Sequence, residues 1–287
     1  MSFVLTLIGE PGAVTPALQS RVADAVGGKP DVLSPEEAVD FPCAAPPDPD
    51  TLRQAVDAAP VDAVIQHADR RRKRLLIADM DSTIVTSETL DELAAFAGVG
   101  EHVAAITRRS MAGEIDFAGA LRERVALLEG LSLDALEKTW AATRFMPGAR
   151  ELIATMRAHG AVTALVSGGF TWFTGRVAAA LGFDVHRSNV LLDDGAALLG
   201  RVQEPILDRS AKLATLHELA RVNGLALEEC LAVGDGANDL EMIRAAGVGV
   251  AFHAKPIVAE AARVRIDHCG LRAILFMQGY RAAELVS

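Results

Sequence analysis

The stretch Leu75-Leu76-Ile77-Ala78-Asp79-Met80-Asp81-Ser82-Thr83 sets four apolar residues directly before two acids that are one residue apart. A compact apolar run of this length reads as a strand buried on both faces, as in a parallel sheet. Further runs of the same kind follow at 162–166, 230–233 and 248–252. Helical patterns separate them at 148–159, 171–181, 212–223 and 239–246. This alternation predicts a doubly wound α/β domain. The insertion between the first two strands, about 86–145, is almost wholly helical in pattern and long enough to form a cap.

In an open parallel sheet, ligands bind beyond the carboxyl ends of the strands. The residues that follow each strand are therefore the ones to read. They are Asp79 to Thr83 after the first, Ser167-Gly168-Gly169 after the second and Gly234-Asp235-Gly236-Ala237-Asn238-Asp239 after the third, with Lys212 opening a helix between the last two. Asp79 and Asp81 lie on an extended segment turning out of the sheet, so one can face a phosphorus while the other reaches the leaving oxygen. A carboxylate that attacks a phosphoryl group makes an acyl phosphate and divides one hard hydrolysis into two steps. Those steps need a proton donor and then a base, and one carboxyl group can serve as both. Two acids beside a phosphate dianion repel, so a cation is required. Mg²⁺ prefers a few oxygen ligands and a substrate phosphate, and Asp235 is the natural third acid. Ser167 can give its hydroxyl, Gly168 its backbone N–H and Lys212 a point charge to the transferred group.

Composition bounds the rest. The chain has 287 residues, 51% of them hydrophobic, and a net charge of −10. That balance argues against a general nucleic-acid or membrane-surface binder, since both need a basic face. The start lacks the pattern of a secretory signal, and no stretch of about 20 apolar residues suggests a membrane span. Cys43, Cys230 and Cys269 lie far apart without metal-ligand spacing, as expected of reduced thiols in a cytoplasmic protein.

The first 70 residues differ in character. Up to Asp69 the only cations are Arg21, Lys29 and Arg53, and a proline-rich break interrupts 42–49. The pattern reads as strand 3–8, helix 15–26, two short extended pieces before Pro42, helix 50–58 and strand 61–66, which suggests a small βαββαβ sandwich. The run Arg70-Arg71-Arg72-Lys73-Arg74 marks the boundary and reads as a solvated linker rather than a nucleic-acid patch.

Asp79-Met80-Asp81-Ser82-Thr83, Ser167-Gly168-Gly169, Lys212 and Gly234 to Asp239 together resemble the four signature motifs of the haloacid dehalogenase superfamily of phosphatases. The resemblance runs from about Leu75 to the C-terminus. Within the superfamily, Glu88 to Leu93, Leu121 to Val125, Val166 to Phe170 and Ala254-Lys255-Pro256 are most similar to the phosphoserine phosphatases. The resemblance implies a Rossmann-like core with a parallel sheet at 71–287, a helical cap inserted at about 86–145, and a small N-terminal α+β domain, ACT-like or ferredoxin-like, at 1–70. It implies Asp79 as nucleophile and Asp81 as acid/base. Mg²⁺ would sit on the carboxylates of Asp79 and Asp235 and the main-chain carbonyl of Asp81, with Asp239 supporting. Ser167, Gly168, Lys212 and Asn238 would hold the phosphate.

The implied substrate, phosphoserine, carries an ammonium and a carboxylate, so its pocket wants one acid and one guanidinium. By the resemblance Glu88 takes the amine and Arg124 the carboxylate, with Met111 and Phe117 lining the cap side. Outside that context Glu88 reads as a helix N-terminal acid, Arg124 as a surface partner of Glu123 or Glu129, and Met111 and Phe117 as ordinary core. Another small phosphomonoester as substrate, or a sensor without turnover, are the alternatives. Residues 1–70 are short and proline-interrupted for a regulatory amino-acid-binding domain. No ligand site is legible there, and dimerisation or packing would also account for the segment.

Overall fold

The computed structural model describes residues 2–111 and 114–287, the side chain of Met111 excepted. The N-terminal part runs β1 (Phe3–Gly9), α1 (Pro16–Val26), β2 (Asp31–Ser34), β3 (Ala38–Cys43), α2 (Pro49–Val56) and β4 (Val61–His67). This is the βαββαβ order read from the sequence. The helices start where local chemistry allows. Thr15 accepts from the Leu18 N–H, and Asp48 from the Thr51 N–H, with a proline opening each first turn. The four strands form one antiparallel sheet in the order β2-β3-β1-β4. Strand β3 continues through Pro42 rather than stopping before it. Pairing with β2 ends at Asp40, so Pro42 lies beyond the reach of that neighbour, in the kind of edge position where proline is tolerated.

The remaining chain builds a second sheet. Its elements are β5 (Leu75–Ala78), α3 (Thr89–Phe96), α4 (Gly100–Met111), α5 (Phe117–Ala126), α6 (Asp134–Ala142), α7 (Ala149–Ala158), β6 (Val162–Phe170), α8 (Thr171–Leu181), β7 (Val185–Asn189), β8 (Leu191–Asp193), β9 (Leu198–Val202), α9 (Arg209–Val222), β10 (Cys230–Gly234), α10 (Leu240–Ala245), β11 (Val248–Phe252), α11 (Pro256–Ala261), β12 (Val264–Ile266) and α12 (Ala273–Met277). Six strands pair in parallel in the order β12-β11-β10-β5-β6-β7. Strand β5 is central, and its residues alternate between two cores: Leu76 and Ala78 join one, Leu75 and Ile77 the other. That is why all four are apolar. The predicted helical insertion after β5 is α3 to α6. The hairpin β8–β9 packs against it, the Gly130 N–H donating to the Leu198 carbonyl and the Leu198 N–H to the Leu131 carbonyl, both at 2.9 Å.

The basic run is no solvated linker. Arg71 pairs with the buried Asp40, which also accepts from Thr6 Oγ1 at 2.7 Å. Arg72 pairs with Glu284 at 2.7 Å and lies over the Tyr280 ring. Lys73 is buried, with Nζ donating to the carbonyls of Arg70 and Glu228. The Asp62 carboxylate accepts from the backbone N–H groups of Asp267, His268 and Cys269, and Gln66 donates to the Met277 carbonyl. The run is therefore part of a polar seam between the two sheets.

Candidate active site

Three strand ends and one helix start converge. Asp79 follows β5, Asp235 follows β10, and Ser167 to Gly169 sit in β6 where its register with β7 shifts between Val166 and Phe170. Lys212 enters from the first turns of α9. Asp79, Asp235 and Ser167 to Gly169 line a cleft of about 280 Å³ beneath the cap, with Lys212 buried behind Asp79 and with Phe117, Leu121 and Arg124 facing the cleft from α5. A larger cleft, about 880 Å³, lies at the opposite ends of the strands and contains none of these groups.

Lys212 is almost wholly buried, its Nζ 2.7 Å from Asp79 Oδ1 and 2.6 Å from Asp239 Oδ1. Burial alone would lower its pKa, but Asp239 and Asp79 together raise it above the ordinary value, so Lys212 stays charged. Asp239 also accepts from the Gly236 N–H at 3.1 Å, and burial, then Asp79, raise it to about 7 against the pull of Lys212. Burial followed by Asp79 raises Asp235 to about 6, with Lys255 Nζ at 3.9 Å opposing. A Cβ at Gly234 would collide with the Asp239 carboxylate, so the bare backbone there is a packing requirement.

Oxygens of Asp79, Asp235 and Asp239 lie within 4.8 Å of one another and all three residues are buried. Lys212 within and the exposed Lys255 at the rim leave the three carboxylates with one negative charge in excess, and burial, followed by the repulsion of Asp79, keeps Asp235 and Asp239 above the ordinary carboxylate range. A hard divalent cation fits such an oxygen set. The side chain of Asp81 stands outside this cluster.

Asp81 instead turns towards the cap. Its Oδ1 accepts from the Thr89 N–H at 2.9 Å and its Oδ2 from Ser167 Oγ at 3.1 Å. Burial, then Glu88 and Asp79, raise its carboxyl to about 7. Asp81 thus satisfies the N–H of the first residue of α3, one of the free donors at a helix start. Glu88 precedes that helix without capping it and accepts from Ser82 Oγ at 2.8 Å. Ser82 adopts a φ of 55°, which folds the chain back after Asp81.

Arg124 is mostly buried and turns to the cleft rather than to a surface partner. Glu123 is engaged by Arg109 at 2.9 Å, and Arg124 Nε donates to the Ala120 carbonyl at 3.2 Å. Burial lowers its guanidinium from the ordinary value while Asp91 and Glu88 oppose that shift. Phe117 packs where a Cβ on Gly168 would come within 3.1 Å of its ring, so the glycine makes room for the cap. Asn238, in a single 3₁₀ turn, is half-buried at the rim. Met111 ends α4, and its side chain lies outside the described residues. Thr89, Thr107, Ser110, Phe170 and Lys255 also line the cleft. Residues such as Thr107 and Ser110 carry no sequence signal, since a hydroxyl on an amphipathic helix is usually solvated.

A family model described as haloacid dehalogenase-like hydrolase matches residues 76–244. A phosphoserine phosphatase of Archaeoglobus fulgidus is 43% identical over 213 residues, covering 74% of this chain and 62% of that protein, so the match spans less than two thirds of that relative. A probable phosphoserine phosphatase from Vibrio cholerae, solved without ligand, superposes with a TM-score of 0.81 at 30% identity over 99% of this chain and 88% of that one. A structure described as the phospho-aspartyl intermediate analogue of phosphoserine phosphatase superposes with a TM-score of 0.66 at 41% identity, over 71% of this chain and 98% of that one.

Proposed function

The chain belongs to the haloacid dehalogenase-like hydrolase family, and from that premise we propose that it is a phosphoserine phosphatase, releasing serine and phosphate through an aspartyl-phosphate on Asp79. One observation carries the reading. The same cleft is lined by an acid pair suited to phosphoryl transfer, Asp79 and Asp81, and by an acid and a guanidinium suited to a zwitterionic head group, Glu88 and Arg124. The second pair is what selects phosphoserine among small phosphomonoesters, because a sugar phosphate has no ammonium for Glu88.

Lys212 holds one oxygen of Asp79, and the other attacks phosphorus as the bond to the serine oxygen breaks. Asp81, poised near neutrality, gives its proton to that leaving oxygen. Asp81, now a carboxylate, next takes a proton from water as that water attacks phosphorus, and the bond to Asp79 breaks to release phosphate. Ser167, the Gly168 N–H, Lys212 and Asn238 hold the phosphoryl oxygens, while the cap, with Phe117 on its inner side, excludes bulk water in the first step. Asp79, Asp235 and the Asp81 carbonyl, with Asp239 in support, would hold Mg²⁺, which would supply positive charge to the phosphate.

The reaction places the protein at the last step of serine biosynthesis. Three cysteines, all free and buried, suit the cytoplasm, and among the described residues no helix is long and apolar enough to cross a membrane. We assign 1–70 as a separate small domain, regulatory or dimerising. The test is phosphate release from L-phosphoserine, phosphothreonine, phosphoethanolamine, phosphoglycolate and glucose 6-phosphate, with Mg²⁺ present or chelated. Metal-dependent preference for phosphoserine is expected. A sugar phosphate turned over faster would overturn the substrate while keeping the Asp79 chemistry.

A further inference from the structure

Asn189 ends β7 and is only 3% exposed, yet nothing in the chemistry above uses it. Its side-chain amide makes three hydrogen bonds. Nδ2 donates to the Gly168 carbonyl at 2.9 Å and to the Leu207 carbonyl at 3.2 Å, and Oδ1 accepts from the Leu207 N–H at 2.7 Å. Only this orientation of the amide meets both carbonyls and the N–H.

The consequence lies in the peptide that joins Gly168 to Gly169. A trans peptide carries its C=O and N–H on opposite sides of one plane. Anchoring the Gly168 carbonyl on Asn189 therefore fixes the direction of the Gly169 N–H. That N–H donates to Ser167 Oγ at 2.8 Å, which leaves the Ser167 proton free to point at Asp81 Oδ2, 3.1 Å away, or at a phosphoryl oxygen. The peptide needs such an anchor. It lies where β6 and β7 lose register, and two successive glycines impose little of their own on the backbone. A Cβ on Gly169 would press on Ser167 Oγ and Asp81 Oδ2 at 3.0 and 3.1 Å, so a stiffer residue there would crowd both groups.

We propose that Asn189 is a positioning residue for the phosphoryl-binding loop: one buried amide sets the 168–169 peptide plane and, through it, the Ser167 hydroxyl. The proposal rests on the phosphatase reading above. The same amide also closes the neck between Asn189 and Leu207, from which the β8–β9 hairpin extends to pair with the cap. Loop, hairpin and cap thus share one joint.

Asn189→Ala is expected to lower kcat/KM by up to about 10²-fold, the scale of a loop misplaced by an ångström, and to speed hydrogen exchange of the Gly169 amide relative to β5 and β10. In a Ser167→Ala background the same change is expected to cost under about three-fold, because its route of action is gone. Full additivity of the two losses would overturn the proposal. Asn189→Asp keeps an acceptor for the Leu207 N–H but offers the Gly168 carbonyl no donor, so it is expected to be as poor as Ala. Wild-type turnover by Asn189→Asp would assign the residue to the hairpin neck alone. If neither variant folds, the wild-type protein decides: a Gly169 amide that exchanges like an open loop overturns the anchoring. A wild-type protein inert towards every phosphomonoester would sink the phosphatase reading alone, since the exchange measurement does not depend on it.

Discussion

Two clefts lie at opposite ends of the parallel strands, and the smaller is the better candidate for chemistry. The larger, about 880 Å³, is rimmed by Arg70 to Arg74, Arg244 and Arg263, and most of these cations are answered locally. Arg71 has Asp40, Arg72 has Glu284, Arg74 has Glu229, and Lys73 has two carbonyls. Arg244 sits in the last turn of α10, where the carbonyl end of a helix favours a cation. The smaller, about 280 Å³, gathers Asp79, Asp81, Asp235 and Glu88 with fewer cations than carboxylates, and burial drives Asp81 to about 7 and Asp235 to about 6. Volume measures how loosely two layers meet. Buried charge of one sign left without a partner measures what the fold holds ready for a ligand.

The sharpest way to break that contrast is to remove the nucleophile. Asp79→Asn is expected to lower kcat at least ~10³-fold, measured on protein shown by mass spectrometry to be free of deamidation back to Asp. Near-normal turnover would move the nucleophile elsewhere. Arg124→Ala comes next. It truncates one member of a mostly buried charge set, a change that costs roughly 2–5 kcal/mol in comparable interfaces, so a loss near 10²-fold in kcat/KM for phosphoserine is expected. Phosphoethanolamine, which lacks the carboxylate, should lose much less. Equal losses on both substrates would remove Arg124 from carboxylate recognition.

On the other side of the comparison, Arg71→Ala should leave kcat per folded molecule unchanged and destabilise the protein. The change abandons Asp40, which is buried beside Thr6. Orphaning a buried charge costs about 3 kcal/mol or more, read as a lower denaturation midpoint. A drop in kcat without a drop in stability would mean that the larger cleft communicates with the smaller.

The legibility of the sequence divides along the same line. Strands β5 and β11 and helix α8 were readable to the residue because both faces of a central strand are apolar and each is punctuated by Gly, Asp or Ser. Asp79, Asp81, Ser167 and Asp235 stand out in the sequence because sheet topology makes strand ends the place for ligands, and the structure brings these four to one cleft, with Lys212 buried behind Asp79. Strand β7 does not, because Val185-His186-Arg187-Ser188-Asn189 is a half-exposed edge without an apolar run. Asn189 went unseen with it. The basic run misled because local charge density says nothing about partners that arrive from more than 200 residues away, such as Glu284 for Arg72.

The smallest effect concerns pH, and it tests the charge imbalance without any substrate. Asp81 is held at about 7 when folded and titrates near its ordinary value of 3.8 when unfolded. Between those values the folded state binds the extra proton, so its stability falls as pH rises through the window and the penalty is complete above about 7. Asp235 and Asp239, raised to about 6 and about 7, act with the same sign. Metal-free protein should therefore gain stability from pH 8 to pH 6, on the order of 1 kcal/mol from Asp81 alone, or a few degrees in Tm. Asp81→Asn should flatten the slope without changing the shape of the cavity. Saturating Mg²⁺ should oppose the share of the slope that comes from Asp235 and Asp239, because the ion needs those two carboxylates ionised and loses affinity as they protonate. If metal-free and Mg²⁺-loaded protein showed the same pH slope, Asp235 and Asp239 would not be the ion's ligands, and the smaller cleft would lose the feature that distinguishes it from the larger.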